Sequence, residues 1–249
     1  MPGRSATKVR CAKCALREVL CLCSIAPRLE LKTRVTILMH WREVPTTTNT
    51  ARLATLVLPN SEIRIRGDRS KPLKTDDLVM PGIKSLLLFP SDDSIELTPD
   101  FLRRHSESKG DGPFHLLVPD GSWRQARKVA TREAALSSIP RVRLPSGERS
   151  SYRLRHSPFK ENLSTFEGIA RALGVIEGTA VQTQLEAIFD IMIERVLWGR
   201  GSIKTSECRN PVPQEAIDAF HIDGSASQER YLAKLAKLTV QSDEAAPHP

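Results

Sequence analysis

The sequence predicts an α/β fold, a mostly parallel sheet flanked by helices, and three observations lead to it. Short β-rich apolar runs recur through the first two-thirds of the 249-residue chain, helix-period stretches alternate with several of them, and from Leu163 onward the pattern turns helical. At 40% hydrophobic residues, a chain of this length has enough apolar surface for a sizeable core.

In order, the expected strands are "RVTILMH" (34–40), "SEIRIRG" (61–67), "SLLLFP" (85–90), "HLLVPD" (115–120) and "RVRLP" (141–145). Between them "NTARLATLVL", "TPDFLRRHSES" and "SWRQARKVATREAAL" repeat their apolar residues at helical spacing, as crossover helices between parallel strands would. Beyond Leu163 the helical stretches are "LSTFEGIARALGVIEG", "TAVQTQLEAIFDIMIERVLWGRG" and "SQERYLAKLAKLTV", expected to pack on one face of the sheet. "SDDSIELTPD" and "SESKGDG" read as exposed loops, and the polar tail at 241–249 as disordered. No apolar run approaches a spanning helix, and Met1 to Arg10 has no apolar segment behind its charges. The expectation is a soluble, cytoplasmic protein without a membrane partner. Its 37 Lys and Arg against 29 Asp and Glu give a net charge of +8, which attracts phosphate backbones or anionic membranes, though charge alone specifies neither.

Cys11, Cys14, Cys21 and Cys23 form C-x2-C-x6-C-x-C, four of the chain's five cysteines within thirteen residues. Four thiolates at such spacing suit a tetrahedral zinc site, which would supply folding free energy to a segment too short for its own core. Two disulfides or a redox pair are the competing chemistries, the first disfavoured in a reducing compartment and the second needing a CxxC beside a sheet. The segment 1–32 is therefore read as a zinc-binding unit ahead of a main domain at 33–240. Cys208 stands apart and reads as an ordinary buried or half-buried thiol.

The most informative junction is "LLVPDGSWRQARK" (116–128), where an apolar run stops at Asp120 and restarts as a basic helix. If the run is a strand, Asp120 lies at its carboxyl end, where open α/β sheets hold their ligands. Gly121 permits a tight turn, and Ser122 can cap a helix whose amino end faces the same crevice. Asp120 is then a candidate base or ligand-holding group, and Arg124, Arg127 and Lys128 are candidate phosphate contacts. Helix capping by Asp120 and Ser122, with Trp123 in the core, explains the same residues without a ligand.

"DGSW" resembles the Asp-Thr-Trp signature of the DTW-domain proteins, tRNA-uridine aminocarboxypropyltransferases. Further matches follow in order: the cysteine cluster, "HWRE" (40–43), "NTARL" (49–53), "SYRLR" (151–155) and "LSTFEG" (163–168). The resemblance spans roughly residues 11–200; Ser122 stands where the family more often has Thr, and Gly168 where it more often has Ala. It implies a SPOUT-like fold with a carboxyl-terminal knot holding S-adenosylmethionine. It also implies transfer of the 3-amino-3-carboxypropyl group to N3 of a uridine in tRNA, with methylthioadenosine as by-product.

That chemistry requires removal of the N3 proton, alignment of nitrogen and carbon, and anchoring of an amino acid group. Asp120 is the candidate base or uridine-orienting residue. The resemblance implies cofactor contacts from Leu117, Pro119, Gly121, Ser122 and Trp123 on one segment, and from Leu163, Ser164 and Thr165 on another. Tyr152, Arg153 and Arg155 are candidates for the transferred carboxylate or RNA phosphate, since guanidinium forks suit both, although "YRLR" equally fits the exposed face of a strand. Asn49, Arg52, Arg124 and Lys128 are the remaining candidates for RNA, with a solvated helix face as the competing reading for Asn49 and Arg52. Glu167 completes a capping box with Ser164. His40 and Glu43 are secondary candidates for a catalytic pair or metal ligands, and structural hydrogen bonding explains a lone histidine there equally well. Two other functions fit much of this: a SPOUT-type RNA methyltransferase, distinguished by release of S-adenosylhomocysteine, and a non-catalytic zinc-containing RNA-binding module, distinguished by binding without turnover.

Overall fold

The computed structural model describes residues 8–68, 70, 72–147, 150–154 and 163–220. The stretch "SQERYLAKLAKLTV" and the tail at 241–249 lie outside the described residues. The chain forms two compact units, one made of 25–189 and the other of 1–24 with 190–249.

In the 25–189 unit six strands form one sheet: β1 (Arg34–His40), β2 (Ser61–Arg66), β3 (Lys84–Leu88), β4 (Ile95–Glu96), β5 (Phe114–Asp120) and β6 (Arg141–Arg143). Their order is β2-β1-β5-β3-β6-β4, and every neighbouring pair is parallel. All five strands expected from the apolar runs are present. The sixth, β4, lies within "SDDSIELTPD", so that segment is not wholly loop. Two residues at an exposed edge carry too little apolar signal to announce a strand.

Four α-helices of this unit are α1 (Ala51–Val57), α2 (Pro99–Lys109), α3 (Trp123–Arg132) and α4 (Thr165–Glu177); α5 (Thr179–Gly199) begins in it. Helix α2 starts at Thr98, whose Oγ1 accepts from Phe101 N, with Pro99 at its first position, and ends at Gly110 with φ +86°. It thus carries "SESK" of the expected loop as helix. Side chains alternate across the sheet. Leu38, Leu87 and Leu117 face α3 and pack with Ala126, Val129 and Ala130. On the opposite face α4 packs against β5, α1 and α2, with Phe166, Ile169 and Leu173 fully buried.

Near the amino ends of the strands the α3 face carries a partly buried polar network. Arg34 and Arg64 bridge Glu62 and Asp77, and Thr36 Oγ1 donates to Glu62 at 3.0 Å. The Thr36 proton is thereby used, so His115 Nε2, 2.8 Å from the same oxygen, is the donor, and its Nδ1 is left without a hydrogen-bond partner. Burial holds His115 down to about 4, helped by Arg34 and Arg64.

The other unit joins the cysteine segment to the end of α5 and a short helix over 214–220. Leu16, Leu20 and Leu22 are buried there, and the Leu20 side chain lies so close to Gly199 that a Cβ at that position would sit 2.7 Å from it. Arg17 lies over the Phe220 ring, which meets Trp198 edge to face. Carboxyl-terminal residues therefore supply the apolar cover that the cysteine segment cannot make alone.

Candidate functional site

The carboxyl ends of β1 and β5 lie side by side, Met39 paired with Asp120. The alternation that sends Leu117 toward α3 turns Asp120 to the opposite face, where the amino ends of α1 and α4 meet. Asp120 is 4% exposed. Its Oδ2 accepts from Asn49 Nδ2 at 2.7 Å, and its Oδ1 accepts from Thr165 Oγ1 at 2.5 Å. A carboxylate with a donor on each oxygen is held in one rotamer, and three motifs distant in sequence are thereby joined.

Asn49 is the centre of this arrangement. Its Oδ1 accepts from Ala51 N at 2.9 Å, capping α1, and its Nδ2 also reaches Glu43 Oε2 at 3.4 Å. It is buried and bonded to two carboxylates, and does not lie on a solvated helix face. Arg52 donates to Val44 O at 2.6 Å, and its Nε is buried without a hydrogen-bond partner.

At the start of α4, Ser164 and Glu167 form the expected capping box: Ser164 N donates to Glu167 Oε2 at 2.8 Å, and Glu167 N to Ser164 Oγ at 3.3 Å. Glu167 does more than cap. It also accepts from Ser150 Oγ and Ser151 N, tying the segment before "YRLR" to the helix. Phe166 N donates to Thr50 Oγ1 at 3.3 Å. Thr165 and Phe166 thus link the start of α4 to β5 and to the residue before α1. Leu163 is half-buried beside them.

"SYRL" is not a strand. Ser151 to Leu154 run as irregular chain, Tyr152 donates its hydroxyl to Thr48 O at 2.7 Å, and its ring stacks with Phe189. Arg153 is exposed, and Arg155 lies outside the described residues. The alternation of "YRLR" comes from one buried leucine and one anchored tyrosine rather than from a pleat.

Gly121 answers the need for a sharp exit from β5. Its φ is +150°, and a Cβ would stand 2.9 Å from Gln125 Oε1 and 3.3 Å from His40 Cβ. Ser122 N donates to that same Gln125 Oε1 at 2.7 Å, closing the first turn of α3. Leu117 and Pro119 are buried, Leu117 in the core against α3. Trp123, expected in the core if it had no ligand, is 55% exposed, its ring stacked on Phe89 at 5.1 Å between centroids. Arg124 and Arg127 are exposed on the same helix, with Lys128 half-buried.

Sequence reading missed Trp41. It follows His40 out of β1, is 46% exposed, and carries the Arg42 guanidinium 5.3 Å from its ring centroid. Gly67, at φ +85°, leaves room for it: a Cβ there would lie 3.0 Å from Trp41 Cδ1. The signal available was "HW" directly after an expected strand, beside a basic residue. His40 accepts from Arg42 N through Nδ1 at 3.2 Å, and burial first, then Arg42, Arg66 and Lys128, hold its pKa below the ordinary value. Through that bond it caps the short turn that follows β1. Glu43 and His40 do not gather with a third group into a metal site: among the described residues, the only His/Cys/Asp/Glu group within ligating reach is the cysteine cluster.

In that cluster the four Sγ atoms of Cys11, Cys14, Cys21 and Cys23 lie within 4.8 Å of one another, an arrangement able to hold a metal ion. The Cys11–Cys23 and Cys14–Cys21 separations of 3.6 and 3.7 Å are far beyond a disulfide of about 2.05 Å. The turn that carries Cys11 and Cys14 is closed by Ala15 N donating to Cys11 O, with Ala15 at φ +60°. Backbone N–H groups, first that of Cys14, bring Cys11 down to about 6, whereas burial first, then the neighbouring sulfurs, push Cys23 well up. Close thiolates repel, and a cation is the group that lets all four ionise together. Cys208, half-buried, lies 3.5 Å from Lys204 O and is raised by burial.

A parallel α/β sheet with a buried carboxylate at its strand ends, in a chain whose four clustered cysteines are able to hold a metal ion, places the protein in the α/β class. The model of the DTW domain matches residues 8–197, and the chain belongs to the DTW-domain family. It is similar to tRNA-uridine aminocarboxypropyltransferase 2 of Drosophila melanogaster, 30% identical over 174 residues, covering 68% of this chain and 66% of that protein. The same-named protein of Macaca fascicularis is 26% identical, with 67% and 56% covered. The chain thus spans less than two thirds of either relative. Against tRNA-uridine aminocarboxypropyltransferase A of Arabidopsis thaliana it is 28% identical over 208 residues, covering 74% and 79%. Among solved structures, the SAM-dependent rRNA:acp-transferase Tsr3 from Vulcanisaeta distributa aligns with a TM-score of 0.45 and 17% identity, over 82% of this chain and 97% of that one.

Proposed function

We propose that this protein transfers the 3-amino-3-carboxypropyl group of S-adenosylmethionine to N3 of a uridine in tRNA, releasing methylthioadenosine. The observation that carries the reading is Asp120, buried at the end of β5 and held on both oxygens by Asn49 and Thr165 within a DTW-domain chain. The names of the relatives support the reaction and its tRNA substrate.

S-adenosylmethionine supplies an activated carbon on a sulfonium, whose C–S bond breaks as the N3–C bond forms. The chain's residues do the remainder. Asp120 takes or directs the N3 proton, from a position that its two donors fix before substrate arrives. Asn49 and Thr165 position it. Trp123 and the backbone of Leu117, Pro119, Gly121 and Ser122 line the cofactor side, together with Leu163 and Ser164. Trp41 with Arg42, and Arg52, Arg124, Lys128, Tyr152, Arg153 and Arg155, meet the RNA; exposed indoles offer stacking faces to unpaired bases and the cations meet phosphates.

The cysteine cluster is read as structural zinc. A tetrahedron with Zn–S of about 2.3 Å has S–S edges of about 3.8 Å, and the 3.6 and 3.7 Å separations lie close to that. A cytoplasmic location agrees with free thiols and a tRNA substrate; no helix among the described residues is long and apolar enough to cross a membrane. The test is nucleoside mass spectrometry of tRNA incubated with the protein and S-adenosylmethionine, alongside the small-molecule product. Aminocarboxypropyluridine with methylthioadenosine is expected. S-adenosylhomocysteine with a methylated nucleoside would make the protein a methyltransferase, and RNA binding with neither product would make it a binding module.

A further inference from the structure

Arg195, on the carboxyl-terminal half of α5, is only 7% exposed. Among the described residues its side chain has two hydrogen-bond partners, both reached by Nη1: Leu20 O at 3.3 Å and Cys21 O at 2.5 Å. Its Nε is buried with no partner. Neither carbonyl carries a formal charge. The adjacent acid, Glu194, is spent elsewhere, on Arg209 Nε at 3.0 Å and on the N and Nδ2 of Asn210. A guanidinium taken out of water without a counter-anion costs several kcal/mol, so a buried arginine of this kind implies an anion nearby.

The loop that Arg195 grips is the one bearing Cys21 and Cys23. Four neutral thiols would offer it no charge. A divalent ion on four thiolates has a formal charge of −2, and Cys23 N already points at Cys21 Sγ from 3.4 Å, as a donor to a sulfur carrying negative charge. We propose that Arg195 is the countercharge of the metal–tetrathiolate centre at Cys11, Cys14, Cys21 and Cys23, so that the metal and the buried guanidinium stabilise each other. It is a positioning residue acting through the Cys21 carbonyl and through charge, not a ligand. The inference rests on the zinc reading given above.

The coupling has a signature that ordinary packing lacks. With zinc bound, Arg195 is compensated and stabilising; without zinc it is a buried, unpaired charge. The full-length wild-type chain and the Arg195→Gln and Arg195→Lys variants are compared by competition for zinc with a chromophoric chelator, and by thermal melting with and without zinc. Arg195→Gln is expected to weaken zinc binding about 10–100-fold, and its zinc-free form to melt no lower than zinc-free wild type. Arg195→Lys, which keeps the charge, should stay within a few-fold of wild type. Unchanged zinc affinity in Arg195→Gln would overturn the proposal. So would equal losses in both variants, which would leave the hydrogen bonds rather than the charge as the cause, or a glutamine variant that is destabilised equally with and without zinc or fails to fold in either state. Wild type that binds no zinc at all removes the metal reading itself and the inference with it.

Discussion

Exchanging the partners of the Asp120–Asn49 hydrogen bond separates chemistry from architecture. Asp120 accepts from Asn49 Nδ2 at 2.7 Å and from Thr165 Oγ1 at 2.5 Å. In Asp120→Asn the new amide can keep only one of these as an acceptor; the Thr165 hydroxyl can turn to accept, so neither group is stranded. The loss is the charge-assisted part of two hydrogen bonds. At about 1.5–3 kcal/mol for a charged bond against 0.5–1.5 for a neutral one, the cost is about 2 kcal/mol, or about 4–8 °C in melting midpoint for a domain of this size. The double variant Asp120→Asn/Asn49→Asp restores a carboxylate–amide pair and leaves Asn49's capping oxygen in place, so it should regain part of that stability, limited by the new acid's proximity to Glu43 Oε2, 3.4 Å from Asn49 Nδ2. Transfer should not return, because the carboxylate has moved to the α1 side of the pair; both variants should lose on the order of 10² to 10⁴ in rate. Single-turnover release of methylthioadenosine reads the chemistry, and thermal melting reads the architecture. If Asp120→Asn turns over at the wild-type rate, or the exchanged pair recovers transfer, Asp120 serves as a joint between α1, β5 and α4 and the proton acceptor lies elsewhere.

Metal analysis of purified protein should give about one zinc per chain, falling to near zero in Cys11→Ser/Cys14→Ser, because two thiolates do not make a closed structural site; the far-ultraviolet dichroism should change little, since the 25–189 unit has its own core. His115, held near 4 by burial, binds its proton more readily in the unfolded chain, so its contribution to stability is complete above about pH 6.5 and is lost as pH falls toward 4. Replacing it with Gln should flatten the stability–pH curve across that window, and an unchanged slope would assign the acid sensitivity to other groups. Trp41→Ala should weaken tRNA binding by about 1–3 kcal/mol, with Trp41→Phe between the two; unaltered affinity would remove the indole from the RNA contact. Binding should also fall steeply with salt, and Arg124→Ala should lower the slope of log affinity against log salt by about one if it meets a phosphate.

Which elements form was written locally. β1 and β5 are runs of Val, Ile and Leu of strand length, α2 is bracketed by Thr98-Pro99 and Gly110, and α4 opens on the Ser164/Glu167 capping box, each a signal carried within a few residues. Four cysteines in thirteen residues were legible as a cluster for the same reason, and the fold brings their sulfurs within reach of one another. Asp120 was legible as an acid at a strand end, and the resemblance of "DGSW" pointed to the family. The tertiary structure alone decided what Asp120 touches: Asn49 lies 71 residues before it and Thr165 lies 45 after it, and no local periodicity relates them. The parallel register and the crossovers bring the three together. It alone decided that Trp41 and Trp123 stay exposed, because an indole beside a helix start satisfies the same pattern whether a neighbour covers it or not. "SYRL" shows the limit from the other side: alternation resembled a pleat, while a tyrosine hydroxyl anchored 104 residues away on Thr48 produced it. The carboxyl-terminal cover over the cysteine segment and the buried charge of Arg195 belong to the same category. Propensity and capping are short-range energies that a sequence displays directly, whereas burial and charge compensation depend on which distant groups the fold places within a few ångströms.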